Sequence, residues 1–184
     1  MAMNGRQSLV MDVRDRPDLD LSLPPIALDW KLDFASGELK QALAYWNSCR
    51  GERKRPTRAD LNPVDMSKFL KNVALFDVRY TSTTVRAFRV RLAGTNVEQV
   101  YGPISGHVID EVLPAEIAAR WQWCLDAVCE ADRPLRLTGR VGFEDKYWLT
   151  GEILVAPLGD EMRPVSMIFA AFVWQRRSEP RIAV

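Results

Sequence analysis

Leu39, Ala42, Leu43 and Trp46 fall at the i, i+3, i+4, i+7 spacing that gives a helix one apolar face. Ser36 supplies an N-cap before them and Gly51 a C-terminal stop. The period then shortens. Val73-Ala74-Leu75-Phe76-Asp77-Val78 reads as a largely buried strand. Ala87 to Ala93 alternates Phe88, Val90 and Leu92 with Arg89 and Arg91, which predicts a strand with one wet face. Gly94-Thr95 breaks that strand, Asn96 to Tyr101 reads as a short helix, and Gly106 to Leu113 as a compact connection. Helical spacing returns from Pro114 to Ala131, with Ile117, Trp121, Leu125 and Val128 on one side. Leu135 to Phe143, Tyr147 to Ala156 and Val165 to Trp174 are three more strands, parted by Glu144-Asp145-Lys146 and Gly159-Asp160-Glu161 as hairpin turns.

The polar stretches complete the pattern. Residues 1–25 alternate charged and small apolar groups and read as a loosely docked tail. Residues 26–34 add a short extended piece. The basic turn from Arg50 to Arg58 is expected to be solvated and exposed. Asn62-Pro63-Val64-Asp65 is a helix start, with Asn62 as cap and Pro63 where a missing donor costs nothing; that helix is expected to run through Met66, Phe69 and Leu70. Two strands, several short helices and three strands in a meander predict an α+β fold. It would be a five-stranded antiparallel sheet with helices on one face, plus an N-terminal flanking helix and tail. The boundaries so drawn are a tail over 1–35, the domain over 36–177 and a C-terminal tail over 178–184.

Composition narrows the class. A net charge of +1 over 184 residues argues against nucleic acid as the main partner. No run approaches the roughly 18 apolar residues of a membrane span. Asp12, Asp15, Asp18 and Asp20, with no continuous apolar core between them, are wrong for a secretion signal. Cys49, Cys124 and Cys129 lack metal spacing and read as reduced thiols of a cytoplasmic protein.

Four motifs in order carry a resemblance. They are Tyr45-Trp46 at a helix end, Pro56-Thr57-Arg58-Ala59-Asp60-Leu61-Asn62-Pro63, Arg91-Leu92-Ala93-Gly94-Thr95, and Gly102-Pro103-Ile104-Ser105-Gly106. With them the chain resembles a bacterial PAS-like family common in alphaproteobacteria, over roughly Glu38 to Gln175. The resemblance implies a cytoplasmic, non-catalytic sensory or signalling module that works by binding a small organic ligand or a protein. The chain carries no kinase, cyclase or DNA-binding segment, so a signalling protein in trans is the expected partner, or a second copy of the chain in a homodimer.

The PAS resemblance also points to candidate residues. Arg91, Tyr101, Trp121, Phe143, Trp148 and Phe172 are the expected ligand-pocket residues, because they sit on the sheet and on the helices that would cover it. Phe88, Trp123 and Phe169 belong to the same aromatic set and read as core. Leu39, Leu43 and Trp46 are the expected interface, with packing on the chain's own sheet as the competing reading. Arg58, Asp60 and Arg91 are expected to brace the motif turn against the sheet by charge-assisted bonds. Neither haem nor flavin is expected: His107 lies in a connection rather than an apolar helix, and Asn47-Ser48-Cys49-Arg50 precedes the sheet. Glu144, Asp145, Glu152 and Asp77 are the carboxylates that suggest acid-base chemistry, and they keep a small cone-shaped isomerase or hydratase as the alternative function.

Overall fold

The computed structural model describes residues 11–12, 26–82, 85–143, 146 and 148–176. The tails over 1–10, 13–25 and 177–184, and the turn residues Thr83, Thr84, Glu144, Asp145 and Tyr147, lie outside the described residues.

The five expected strands form one antiparallel sheet, and two short strands extend it. In chain order they are β1 (Met11–Asp12), β2 (Ile26–Asp29), β3 (Val73–Tyr80), β4 (Arg86–Ala93), β5 (Leu135–Arg140), β6 (Leu149–Leu158) and β7 (Met167–Arg176). Their spatial order is β1-β2-β5-β6-β7-β3-β4, every neighbour antiparallel. The long central strands β6 and β7 are buried nearly throughout. A strand covered on both faces loses its apolar-polar alternation, and here both faces are covered.

One face carries the helices that interrupt the sheet: α2 (Thr95–Tyr101), α3 (Ile109–Val112) and α4 (Ala115–Ala131). Their apolar sides meet Phe76, Val78, Phe88, Val90, Ile153 and Phe172. The flanking helix α1 (Gly37–Arg50) covers the opposite face. Leu39, Ala42 and Trp46 of α1 pack there against Val73, Leu75, Leu154, Ala156 and Phe169. The Trp46 indole N–H donates to the Pro157 carbonyl at 3.1 Å. Pairing of β6 with β5 ends at Val155, so Pro157 sits beyond β5 and its missing N–H interrupts no ladder on that side.

This placement corrects two expectations. Leu39 and Trp46 are only 1% and 2% exposed, with Leu43 half-buried beside them, so the α1 stripe is spent on the chain's own sheet and does not form a free interface. Residues 26–34 are part of the fold rather than of a tail: β2 pairs with β5, and Leu28 and Phe34 are each 1% exposed.

The motif turn is also rearranged. The Asn62 side chain accepts the Val64 N–H at 3.1 Å, which closes a turn instead of capping a helix. The chain beyond it forms a run of turns and a short 3-10 segment, Leu70–Asn72, in place of a regular helix. The Tyr45 hydroxyl donates to the Asn62 carbonyl at 3.2 Å and accepts from the Asn62 N–H at 2.7 Å, which fastens the turn to the end of α1. Gly94 closes β4 for a steric reason: a Cβ there would lie 2.4 Å from the Lys71 carbonyl oxygen.

Candidate functional site

The expected pocket between helices and sheet is filled. Phe76, Tyr101, Trp121 and Phe172 meet there, with Trp121 at 6.1 Å from Phe76, 6.0 Å from Tyr101 and 5.6 Å from Phe172, ring centre to centre. Together with Val97, Ile104, Ile109 and Leu113 they leave about 10 Å³, which is room for one water at most. Aromatic packing of this kind is a rigid core.

A larger hollow opens on the other side of Trp121. It lies between α4 and the sheet where β2, β5, β6 and β7 run side by side, and it is lined by Ile26, Tyr101, Ile117, Arg120, Trp121, Cys124, Leu137, Gly139, Arg140, Val141, Gly142, Gly151, Ile153 and Trp174. Its interior is about 50 Å³, counted as space open to the centre of a water molecule. A single water needs about 10–15 Å³ by that measure.

The floor of this cavity comes from register. Ile26 pairs with Gly139, Gly139 with Gly151, and Gly151 with Trp174, so one row across four strands carries two glycines at its centre. Side chains at this row would point toward α4, as those of Leu137 and Ile153 do. A strand-interior glycine packs nothing and weakens its strand, so it commonly marks a place where something approaches the backbone closely. The roof is Ile117, Arg120, Trp121 and Cys124, one side of α4. Trp174 forms the wall; its ring stacks on Phe172 at 5.2 Å, and its indole N–H is buried without a hydrogen-bond partner among the described residues.

The pocket residues expected from the sequence therefore separate. Tyr101 and Trp121 line both hollows and Phe172 lines the filled one. Phe143 is buried beside Tyr101, 5.8 Å ring to ring, without lining either. Trp148 is 46% exposed, with the Arg176 guanidinium 5.2 Å over its ring. Arg91 lies at the far edge of the sheet, where it pairs with Asp77 at 3.0 Å and stays half exposed. The expected place of Arg91 beside a ligand is corrected by this: β4 turns it to the outside.

Of the residues expected to hold the motif turn, Asp60 and Arg58 bond within it, and Arg91 does not take part. Asp60 accepts from the Thr57 N–H at 2.7 Å and the Thr57 hydroxyl at 2.8 Å, and pairs with Arg53 at 3.0 Å. These Thr57 bonds, and then Arg53, hold its carboxyl below the usual range. Arg58 donates to the Leu61 carbonyl at 3.1 Å. The brace across the fold is Arg55, a member of the basic run expected to be solvated. It is 1% exposed, its guanidinium contacts the Asp132 carboxylate and the Arg163 carbonyl, and it donates to the Asp160 carbonyl at 2.7 Å. Asp132 ends α4 in the left-handed conformation, so Arg55 ties the motif turn to the end of α4 and to the β6-β7 turn. Nothing local in the sequence separates Arg55 from its charged neighbours. The two glycines, in contrast, stand in view as breaks in strand patterns.

Of the four candidate carboxylates, the two that are described, Glu152 and Asp77, are occupied. Glu152 accepts the Ala35 and Ser36 N–H groups at 2.9 Å each and Arg136 at 2.7 Å. Burial pushes its carboxyl up, but those three donors outweigh it and the net shift is downward. It serves as the anchor of the α1 N-terminus, where a negative charge is favoured. Asp77 is taken by Arg91. Burial pushes Cys124 and Cys129 to about 12, which makes both poor nucleophiles. His107 is exposed, and its carbonyl accepts the Val90 N–H at 2.8 Å. Among the described residues no group of three metal-ligating side chains comes together, and no helix is long and apolar enough to cross a membrane.

The order of strands and helices matches what the motifs implied. The family model of the PAS domain matches residues 35–172, and no curated protein matches the sequence. That match spans most of the chain and takes in α1, the motif turn, the α2–α4 helices and nearly all of the sheet. The chain belongs to the PAS domain family, a family of sensory and signalling modules.

Proposed function

We propose that this chain is a non-catalytic PAS-type sensor that takes a small organic ligand in the cavity under α4 and passes its state to a signalling protein. The carrying observation is the glycine floor: Gly151 leaves room at its Cβ position and Gly139, paired with it across β5 and β6, lets Ile26 pack close, so a hollow remains on an otherwise filled face. Cavities of this kind, mostly apolar with a few polar groups, are where small ligands bind.

The route outward is short. Gly151 faces the cavity, and its neighbour Glu152 faces the other side of the sheet and grips the start of α1. A ligand that shifts β6 against α4 moves the Glu152 anchor with it. The α1 surface turned away from the sheet is then the natural place for a protein partner to read the state, since PAS domains commonly mediate protein contacts. The occupied carboxylates Glu152 and Asp77 favour this over an isomerase or hydratase, which needs a free base facing the substrate. A cytoplasmic setting and the alphaproteobacterial grouping belong to the same reading and rest on the sequence motifs.

Native mass spectrometry of the full chain purified from its own host tests the proposal. A stoichiometric organic adduct, with faster hydrogen exchange at the start of α1 after the adduct is stripped, is the expected result. A protein that emerges unliganded, and whose exchange is unchanged by host extract, would sink it.

A further inference from the structure

Resting on that reading, we infer that the cavity takes a small, mostly apolar molecule bearing an oxygen acceptor, which receives the indole N–H of Trp174.

The wall formed by Trp174 holds a hydrogen-bond donor that is not used. The Trp174 N–H has no partner among the described residues and is shielded from water. Leaving a buried donor unpaired costs about 1–3 kcal/mol, so such groups are rare in native folds and call for a reason. The ring cannot easily escape the cost by turning, because it is stacked on Phe172 at 22° between planes. Its position is informative. A Cβ placed on Gly151 would sit 3.7 Å from Trp174 Nε1 and 3.6 Å from its Cδ1, so the donor edge of the indole overhangs the glycine floor.

The other walls specify the rest of the ligand. Ile26, Ile117, Leu137, Val141 and Ile153 offer no hydrogen bond from their side chains. They reward apolar surface. With the Trp174 donor beside these aliphatic groups, and Arg120 and Arg140 also in the lining, the cavity fits a ketone, ester or lactone of few atoms.

Two single substitutions separate shape from hydrogen bonding. Trp174→Phe keeps an aromatic wall and deletes the donor. Gly151→Ala adds one methyl to the floor; all its contacts would be 3.6 Å or longer, so the fold has room for it. The probes are cyclopentanone and cyclopentane, alike in shape and different by one acceptor, titrated into the full chain and followed through the indole N–H resonances. The Trp174 signal is identified by its loss in Trp174→Phe.

Cyclopentanone is expected to move the Trp174 signal and to bind roughly two- to tenfold more tightly than cyclopentane, the worth of one hydrogen bond. The preference should vanish in Trp174→Phe, and both probes should weaken in Gly151→Ala. If the two probes bind equally to the wild type and both weaken in Gly151→Ala, the cavity stands as a ligand site and acceptor recognition by Trp174 is overturned. If neither probe binds, or if Gly151→Ala leaves binding unchanged, the cavity itself is overturned as the site.

Discussion

The two faces of the sheet are both apolar, yet they are finished differently. On the α1 side, large side chains meet a closed surface: Trp46, Phe34, Leu39 and Phe169 are each at most 2% exposed, and the indole of Trp46 is bonded to Pro157. On the α4 side the centre is equally tight, but the edge near β5 and β6 is hollow, and the indole N–H of Trp174 has no partner among the described residues. Two tryptophans thus mark the contrast. Trp46 has its hydrogen bond made inside the fold, and Trp174 has it unmade next to a cavity. A satisfied donor in a filled layer stabilises; an unsatisfied one beside open space has free energy to gain from something that enters.

Four substitutions put this contrast between a closed layer and a hollow one to the test. The largest effect is expected for Trp46→Ala, which empties the closed layer and removes its hydrogen bond. About 3–5 kcal/mol of stability should be lost in urea denaturation. A loss under about 1 kcal/mol would mean that the α1 side is no tighter than the other. Arg55→Met comes next. It leaves Asp132 with Lys54 alone, at 2.6 Å, and should cost about 3 kcal/mol, the low end for breaking a buried pair.

Glu152→Gln should cost about 2 kcal/mol, because a weaker acceptor faces two backbone donors and Arg136 loses its charged partner. The same group sets a pH dependence. Its carboxyl is held below its ordinary value of 4.5 in the folded state, so its contribution is complete above pH 4.5. It is lost as the pH falls through the lower, folded value. In the variant that acid-side loss should shrink, and equal acid sensitivity of the two proteins would remove Glu152 as the anchor. The smallest change is expected for Gly151→Ala, within about 0.5 kcal/mol of the wild type, since the added methyl meets only ordinary contacts. A loss of several kcal/mol there would show that the floor is already closed.

Much of the fold is legible because it is written in local periods. The α1 stripe, its Ser36 cap and Gly51 stop, the five strands of the meander and its partner hairpin, and α4 from Ala115 all follow from spacing alone. Less of the site is legible. The aromatic residues Trp121 and Phe172 do lie between helices and sheet, yet Phe172 fills that space, and Trp121 both fills it and roofs the hollow beside it. Arg91 carries a family motif and points outward, on the wet face that its alternation with Phe88 and Val90 implies. Trp174 reads in the sequence only as the end of a strand.

Each element's identity, and which of its sides is apolar, belongs to the chain by itself, since both depend on residues within one or two turns of one another. The tertiary structure decided the partners. A helix stripe does not encode which face of which sheet it will cover, and α1 chose the chain's own back face. A basic residue does not encode whether a distant carboxylate will meet it, and Arg55 is buried because Asp132 and two loop carbonyls converge on it. Two glycines twelve residues apart become one floor only when β5 and β6 pair in the register that sets Gly139 opposite Gly151. Register is a long-range property, fixed by the packing of whole strands, and in this protein the cavity depends on it.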